Sequence, residues 1–599
     1  MDANAIKAAI KSDAKEGPRA LAYVLQAFGE RSFWATGDAG TDAEDPDYHH
    51  RVHLQGTPFL FVKMFFSKSL AATVPLALST LSSVYAVPQW HYPGGGHGGQ
   101  GNDSSAVNTT TCGGKTYVYE ELAGYGKIAS NARDKAGDTL GGIGSSITID
   151  ARSWKRIGKS YTGLLYAVPD RGWNTEGTLN YQARIQKFLL TFTPNEDATV
   201  QKPGAENLRF KLLETILLTD PSGQPAVGLD GGINGPYLRF PGFPDLPSAN
   251  YTGDGFGGAG PGGYRVSLDC EGIALANDGS FWISDEYGDY VYKFNSRGRM
   301  VQAIRPPDAF IPIRNGSESF SSDNPPRYNP ELSPVPEDPT SGRANNQGLE
   351  GFSVNPAGTR LYALTQSALI QDGGSKNKNS RYARLLEYDV TGRSPKVVGE
   401  YVVPLNREDH TNNPDTHVAR QSELHYISDT QFLTLARDSD HGRGQGPENT
   451  ESTYRQIDVF DISDATNVAG KADCQTCSIA SSKGVLQSNV TAAEYCQWLD
   501  FNVNSQLNRF GVHNGGAEDE GLLNEKWESI ALVPVNTGFG GKGSDEYYIL
   551  SFSDNDYITQ DGYLKGGEFR YSDESGYNLD NQALIFKVKL PAGARPLVG

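Results

Sequence analysis

The stretch Cys270-Glu-Gly-Ile-Ala-Leu275 opens a pattern that decides the fold. The turn sequence Asn-Asp-Gly-Ser follows it, and then come Phe281-Trp-Ile-Ser-Asp-Glu286 and Tyr290-Val-Tyr-Lys-Phe-Asn295. Short runs rich in aromatic and β-branched residues, separated by turns that contain Gly and Asn, are typical of antiparallel strands. The stretch therefore predicts one small sheet of three or four strands.

The same order of strands and turns recurs elsewhere in the chain. Three later copies begin near Leu349, Ser422 and Trp527, and an earlier unit, from Ser146 to Phe192, has the strands without the glutamate. Self-similar units of this size are the sequence signature of a β-propeller. We therefore predict an all-β fold, a single β-propeller with five recognisable blade units.

Long segments between the units leave room for more strands, so six or seven blades remain possible. These segments are 211–265, 306–345 and 465–525. The last of them is expected to contain a helix that begins at Thr491 and has an apolar face from Tyr495 to Phe510. The strand Tyr117–Glu121 is expected to close the ring against the last unit.

The composition is that of a turn-rich globular protein. Of 599 residues, 37% are hydrophobic and 10% aromatic, with 69 Gly and 33 Pro. The 53 Lys and Arg face 71 Asp and Glu, which gives a formal charge of −18. Nucleic acid is disfavoured as a partner, because neutralising phosphates requires a basic face.

Residues 64–86 have the parts of a secretory signal peptide: a basic start, a short apolar run and a small residue, Ala86, at the expected cleavage point. The run is too short and too polar for a stable membrane span in the mature protein. Residues 1–63 are interpreted as a gene-model extension, disordered or weakly helical; a signal anchor behind a short cytosolic tail is the alternative. Residues 87–111 are predicted to form a flexible Gly-, Asn- and Ser-rich arm, and residues 112–599 the propeller domain.

Cysteines and glycosylation sequons also favour secretion to the extracellular space, because all of them lie beyond Ala86. The pair Cys474 and Cys477, together with Cys496, predicts a local disulfide clip. N-glycosylation is predicted at Asn102, Asn108, Asn250, Asn315 and Asn489.

Each of the four similar units carries a glutamate where its first strand begins. Because the first strand of every blade lines the central channel, these four carboxylates are expected to converge at one mouth. Like charges at close range raise one another's pKa, and a hard divalent cation resolves that repulsion. Ligands that are all oxygen favour Ca²⁺, or Mg²⁺, over zinc or copper. The predicted metal ligands are Glu271, Glu350, Glu423, Glu528, Asp285 and Asp554.

The alternative interpretation is that these acids accept hydrogen bonds from backbone amides of neighbouring blades and hold the ring together. Cations interleaved with the acids at the strand ends favour a site, because they suit a small anionic ester. Arg171, Arg437 and Lys526 are predicted to bind the substrate anion. The predicted catalytic residues are Glu271, Asp285, Glu286, Arg437, Asp438 and His441, with His441 as the candidate general acid.

At these residues the sequence resembles the phytase-like family, whose domain is described as having "esterase-like activity of phytase". The resemblance spans about residues 140–590 and rests on five motifs. They are Asp170-Arg-Gly, Glu271-Gly-Ile-Ala with Ser284-Asp-Glu286, Gln347-Gly-Leu-Glu350-Gly, Leu435-Ala-Arg-Asp438 and Lys526-Trp-Glu-Ser529. The resemblance implies a propeller with acidic residues suspected of phosphoesterase activity.

Together these observations predict a secreted, monomeric, metal-dependent hydrolase of phosphate esters, with Ca²⁺ as the favoured ion. One alternative is a calcium-dependent lactonase or carboxylesterase, because a metal at the channel mouth polarises a carbonyl equally well. The other is a non-catalytic propeller that binds carbohydrate or protein in the cell wall.

Overall fold

The computed structural model describes residues 106–232, 237–408, 417–537 and 545–598. Within them nearly all regular structure is β-strand, in five antiparallel sheets of four or five strands. The five sheets are the blades of one β-propeller, which confirms the predicted fold class with five blades. The proposed gene-model extension, the signal peptide and Asn102 lie outside the described residues.

The strands follow one another along the chain as blades separated by short hairpins. Before blade 1 come β1 (Asn108–Cys112) and β2 (Lys115–Ile128). Blade 1 comprises β3 (Ser146–Ile149), β4 (Lys155–Ile157), β5 (Ser160–Val168), β6 (Arg184–Phe192) and β7 (Leu208–Leu217). A hairpin of β8 (Ser248–Tyr251) and β9 (Gly263–Val266) precedes blade 2, which comprises β10 (Cys270–Leu275), β11 (Phe281–Asp285), β12 (Val291–Phe294) and β13 (Met300–Ile304).

Blade 3 follows the short pair β14 (Ile313–Arg314) and β15 (Ser317–Glu318), and comprises β16 (Leu349–Val354), β17 (Arg360–Thr365), β18 (Tyr382–Asp389) and β19 (Lys396–Pro404). Blade 4 follows the pair β20 (Arg407–Glu408) and β21 (His417–Val418), and comprises β22 (Arg420–Tyr426), β23 (Gln431–Arg437), β24 (Arg455–Asp461) and β25 (Glu494–Asp500). The remaining elements are helix α1 (Asn504–Leu507) and the strands β26 (Ala531–Pro534), β27 (Glu546–Phe552), β28 (Gly562–Leu564), β29 (Phe569–Tyr571) and β30 (Asn581–Lys589).

Blade 5 is built from both ends of the described chain. Its strand order is β1-β2-β30-β27-β26, and β2 pairs antiparallel with β30 from Val118 opposite Lys589 to Ile128 opposite Asn581. The prediction that Tyr117–Glu121 closes the ring is therefore confirmed. The predicted arm extends too far, because its last residues, from Asn108 onward, form the edge strand β1.

The predicted helix after Thr491 is wrong. Glu494–Asp500 forms the outer strand β25, which pairs with β24, and only Asn504–Leu507 is α-helical in this region. The free backbone edge of β24 offers a ladder of hydrogen bonds to this segment, and that tertiary pairing outweighs the helical spacing of its apolar residues. None of the three long segments contributes a further blade within the described residues.

The first strands of neighbouring blades face one another around the axis: β3 contacts β10 and β26, and β16 contacts β10 and β22. Their approach is close enough to require glycine in two places. A Cβ at Gly272 would lie 2.3 Å from the Phe352 Cβ, and a Cβ at Gly351 would lie 2.6 Å from the Gln421 Oε1. The apolar core lies between the blade sheets, where Trp282 of blade 2 packs in one cluster with Leu349 and Phe352 of blade 3.

The C-terminal tail covers the end of the axis at which the first strands finish. The amide of Arg595 donates to the Ile427 carbonyl, and that of Leu597 donates to the Tyr426 carbonyl. The Leu597 carbonyl also lies 2.8 Å from the His425 Nε2, and burial lowers the pKa of that imidazole to about 4. The tail does not cover the opposite end of the axis, which is called the open end from here on.

Two disulfides are present, and Cys270 is a buried free thiol. The predicted clip is half right: Cys474 pairs with Cys477, but Cys496 pairs with Cys112 across 384 residues. This long-range bridge joins β1 of blade 5 to β25 of blade 4. It therefore fastens the strands that close the ring to the neighbouring blade.

Replacing Cys112 and Cys496 together with alanine is expected to destabilise the protein by up to about 5 kcal/mol, because the bridge closes a very long loop in the unfolded chain. The matched control replaces Cys474 and Cys477, whose four-residue loop predicts only about 2 kcal/mol. Chemical denaturation under non-reducing conditions measures both. A larger loss from the control pair than from the ring-closing pair would contradict this prediction.

Candidate metal centre at the open end of the axis

Three of the four predicted glutamates occupy the same position in their blades, a bulge at the start of the first strand. Cys270 pairs with Asp285 and Gly272 pairs with Ser284, which leaves Glu271 as the extra residue. The register places Glu350 in the same position in blade 3. In blade 5 one extra residue lies between the Trp527 and Ala531 pairings, and Glu528 lies in this bulge. Bulges redirect side chains at strand ends, and here they turn carboxylates toward the axis.

Glu423 does not share that position, so the expectation of four equivalent glutamates fails at blade 4. The bulge residue there is Ser422, and Glu423 pairs one step further along, where the other blades have Gly272 and Gly351. Its carboxylate accepts hydrogen bonds from the Ser146 hydroxyl and from the backbone amides of Phe352 and Leu424, the last two at 3.1 and 2.8 Å. Glu423 thus links blades 1, 3 and 4.

Replacing Glu423 with alanine is expected to destabilise the protein by about 3 kcal/mol or more, because three buried donors lose their acceptor. Glu350→Gln is the control, since the second carboxylate oxygen of Glu350 has no partner among the described residues and the amide keeps the first. Thermal unfolding should show a clear loss for Glu423→Ala and little loss for Glu350→Gln. Equal losses would remove the distinction between these two glutamates.

A second ring of polar residues follows the second strands. In each blade, the residue that follows the bulge pairs with a residue of the second strand. The ring member lies two residues beyond that partner, so each blade contributes one. They are Asp170, Glu286, Gln366, Arg437 and Asp554. At several blade boundaries such a residue meets the bulge residue of the next blade: the Arg437 Nη2 lies 2.7 Å from the Glu528 Oε1, and the Ser145 hydroxyl donates to the Asp554 Oδ2 at 2.8 Å.

One concentration of carboxylates is the triad Asp170, Asp269 and Glu271. One oxygen from each lies within 4.8 Å of the others, and all three side chains are buried. Burial raises the pKa of Asp170, and the neighbouring carboxylate of Asp554 raises it further. Burial likewise raises the pKa of Glu271, with added repulsion from Glu350 and Asp269. The cation paired with this triad is Arg171, whose Nη1 lies 2.8 Å from the Asp269 Oδ2.

Asp170 also belongs to a second triad, with Asp554 and Asp556. Lys526 is inserted there, with its Nζ 2.8 Å from the Asp556 Oδ1 and 3.9 Å from the Asp554 Oδ2. Burial opposes the charge of Lys526, but these carboxylates outweigh it and raise its pKa. Burial raises the pKa of Asp554 to about 6, although Lys526 acts in the opposite direction.

Arg437 is held by two acids at the boundary of blades 4 and 5. Besides Glu528 it contacts Glu525, with 3.1 Å between Nη1 and Oε1. Because burial disfavours the guanidinium while both acids favour it, the net effect raises its pKa. The three predicted substrate cations therefore each form an ion pair with a nearby carboxylate. They are Arg171, Arg437 and Lys526.

Blades 2 and 3 meet through Glu286 and Glu350. The Gln366 amide donates to the Glu350 Oε1, and the Glu286 Oε1 accepts from the Gly348 amide at 3.3 Å. Burial raises the pKa of Glu286 to about 7, helped by repulsion from Asp269. Burial also raises the pKa of Glu350, followed by repulsion from Glu286 and Glu528. Protonation of either acid would therefore relieve the local repulsion.

Three of the predicted site residues bind their own loops. Asp285 accepts the backbone amides of Asp269 and Gly288, both at 2.9 Å, and so fixes the residue before β10. Asp438 accepts from the Ser452 hydroxyl at 2.7 Å and from neighbouring backbone amides. The His441 Nδ1 lies 2.7 Å from the Ser439 carbonyl. These contacts favour a structural contribution, while the catalytic assignments of Asp285, Asp438 and His441 stay predictions.

Sequence reasoning did not assign three members of the cluster to the metal site. Asp170 and Asp556 were visible in the sequence, since Asp170 follows its strand as Glu286 and Asp554 follow theirs, and Asp556 lies two residues after Asp554. Asp269 gave a weaker signal, a lone aspartate before the first strand. Its position next to Glu271 depends on the bulge, which a single sequence does not display.

The donor set fits a hard divalent cation. All groups in the two triads are carboxylates, the ligands that Ca²⁺ and Mg²⁺ prefer. The buried oxygens Asp269 Oδ1, Glu350 Oε2 and Glu528 Oε2 have no hydrogen-bond partner among the described residues. Buried, unpartnered carboxylate oxygens are costly, and a divalent cation would give such an oxygen a partner.

Four of the five sequons lie in described residues, and all four asparagines are exposed. The Asn108 and Asn315 side-chain amides donate to backbone carbonyls of Trp498 and Val335, at 2.5 and 2.7 Å. N-glycosylation at these four asparagines stays a prediction. No helix in the described residues combines the length and apolar character required to cross a bilayer.

A five-bladed propeller with buried carboxylates clustered at one end of its axis defines the general class of this protein. The family profile "Phytase-like: Esterase-like activity of phytase" matches residues 139–557, so the chain belongs to the phytase-like family. A protein of Arthroderma benhamiae, named as an uncharacterized secreted protein, is 54% identical over 465 residues, which cover 76% of this chain and 90% of that protein.

Solved structures show only distant likeness. A luciferin-regenerating enzyme is 11% identical, covers 79% of this chain and 98% of its own, and has a TM-score of 0.22. The hydrazine synthase of Kuenenia stuttgartiensis is 8% identical, covers 77% of this chain and 66% of its own, and has a TM-score of 0.23. Likeness at this level carries no argument about function.

Proposed function

We propose that this protein is a secreted, metal-dependent hydrolase of phosphate esters, with Ca²⁺ as the favoured ion. The family's description as esterase-like supports hydrolysis, and the secreted relative supports an extracellular location. The observation that carries the proposal is the buried triad Asp170, Asp269 and Glu271, in which Asp269 retains an unpartnered oxygen.

Electrostatics link the metal to an anionic substrate. Carboxylates outnumber cations at the mouth, and the three cations Arg171, Arg437 and Lys526 are paired with carboxylates. A phosphate ester approaching this cluster would be repelled unless additional positive charge were present. Asp170, Asp269 and Glu271 would hold a divalent cation, which when bound would supply that charge and polarise the ester for attack by water.

The chain's own residues then have separable tasks. The Asp285 carboxylate accepts a hydrogen bond from the backbone amide of Asp269 and so orients that residue. Arg171 donates to the Oδ2 of the Asp269 side chain. Lys526 keeps positive charge beside Asp554 and Asp556, and Arg437 keeps it beside Glu528, where blades 4 and 5 meet. Burial raises the pKa of Glu286 to about 7, so it can hold or release a proton near neutral pH and is a candidate general acid or base.

The test is a comparison of substrates on the full chain. Turnover of a phosphomonoester, a phosphodiester and a lactone is measured with added Ca²⁺ and with chelator. We expect turnover of at least one phosphate ester, lost on chelation and restored by Ca²⁺. The Lys293→Ala variant is the control for the handling of the protein, since Lys293 pairs with Asp278 at the covered end of the axis.

The other outcomes separate the alternatives. Turnover of the lactone alone would identify the lactonase or carboxylesterase. Turnover of none of the three substrates would favour a binding module. Activity that is unaffected by chelation would remove the metal from the proposal.

A further inference from the structure

We propose that the open end of the axis contains two cation positions and that the chain itself fills one of them with the ammonium group of Lys526. This inference rests on the proposed divalent cation at Asp170, Asp269 and Glu271. It goes beyond that function by fixing the number of ions at one and by assigning Lys526 the place of a second.

The two positions share one ligand. Asp170 contributes an oxygen both to the triad with Asp269 and Glu271 and to the triad with Asp554 and Asp556, each set lying within 4.8 Å. A carboxylate shared by two sets of acidic ligands is the arrangement that can bridge two metal ions. By their donor sets alone, both positions suit a divalent cation.

Only in the second position does a cation of the chain lie within 4 Å of several acids. The Lys526 Nζ lies 2.8 Å from Asp556, 3.7 Å from Glu528 and 3.9 Å from Asp554. An ammonium group at these distances occupies the space that an ion would need and neutralises the same oxygens.

The first position lacks such a group. Arg171 binds the Asp269 Oδ2 from one side, while the Asp269 Oδ1 has no partner within the described part of the chain. The two triads therefore differ in how far the protein itself satisfies them. This difference predicts that a metal binds beside Asp269 and not beside Asp556.

Glu528, which lies beside the second position, also has an unpartnered oxygen. The Glu528 Oε2 is buried without a partner in the described residues, while its Oε1 contacts Arg437 and Lys526. One univalent ammonium and one guanidinium thus leave this position with acceptor capacity to spare. Removing Lys526 should therefore turn it into a binding position for a second ion.

The experiment is the stoichiometry of Ca²⁺ binding, measured by isothermal titration calorimetry on metal-free full-length protein. The wild type is expected to bind one Ca²⁺, and Lys526→Ala two. Lys526→Arg, which keeps a cation, should bind one, and the control Lys293→Ala should also bind one. Asp269→Asn should bind none, and the double variant Lys526→Ala with Asp269→Asn should bind one.

A Lys526→Ala protein that still binds one ion would overturn the inference, as would a wild type that binds two. If that variant does not fold without metal, Lys526→Gln is titrated instead, with the same expected count of two. Thermal unfolding gives a second readout, because Ca²⁺ should raise the melting temperature of the variant more than that of the wild type. Neither measurement uses turnover, so failure of the proposed esterase activity would leave the ion count to be judged separately.

Discussion

Replacing Glu271 with glutamine is expected to abolish turnover and weaken Ca²⁺ binding, while the propeller stays folded. Glu271 is one of three buried carboxylates that face one another, and neutralising it removes a charged ligand without removing volume. We expect the affinity for Ca²⁺ to fall at least about 10- to 100-fold, a loss already typical of residues that only support a ligand. Titration calorimetry and the phosphate-ester assay measure the two effects.

The melting temperature of metal-free Glu271→Gln should equal or exceed that of the metal-free wild type. Burial and the neighbouring acids Glu350 and Asp269 raise the pKa of Glu271, so its charged form destabilises the folded state. A variant that gains stability but loses Ca²⁺ binding identifies a residue whose charge destabilises the fold and serves metal binding. A marked drop in melting temperature with unchanged Ca²⁺ affinity would instead show that Glu271 joins blades, as Glu423 does.

Replacing Arg437 with methionine is expected to destabilise the protein by about 3–5 kcal/mol, the cost of removing one partner from a buried charge pair. Arg437 is buried, and its guanidinium contacts Glu528 at 2.7 Å and Glu525 at 3.1 Å. Without it, both carboxylates lose their hydrogen bonds to the guanidinium. Denaturant titration at neutral pH measures the loss.

The companion variant Glu528→Gln tests the cause of that loss. If charge imbalance destabilises Arg437→Met, the double variant should recover part of the stability, and a double-mutant cycle should give a coupling of about 1 kcal/mol or more. If the two changes are additive, the contact between Arg437 and Glu528 contributes nothing beyond packing. Arg437 would then be better explained by the original expectation of a substrate contact.

The fold was predictable because a propeller repeats one simple pattern. Each blade has turns and apolar strands of similar spacing, so Cys270–Leu275 and Leu349–Val354 identify themselves as equivalent without knowledge of their partners. The outer strand β25 was not predictable in this way. Its apolar residues fit both a helix and an edge strand, and only the free edge of β24 decides between them.

The candidate site was predictable in its location but not in its register. The position of the acids at one end of the ring follows from the repeat, and Glu271, Glu350 and Glu528 share it. In blade 4, however, the bulge lies one residue before Glu423, so this glutamate contacts backbone amides instead of the other acids. The sequence also does not show that Arg171, Arg437 and Lys526 form ion pairs with acids of the site.

Closure of the ring by β2 and β30 has a consequence for biosynthesis. Lys115, the first residue of β2, leaves the ribosome 466 residues before Asn581, the first residue of β30. At about 5–20 residues per second, translation holds β2 without its partner for roughly 20 to 90 seconds. Throughout that interval β2 can pair with β1 but not with β30, and the last blade can be completed only after β30 has been synthesised.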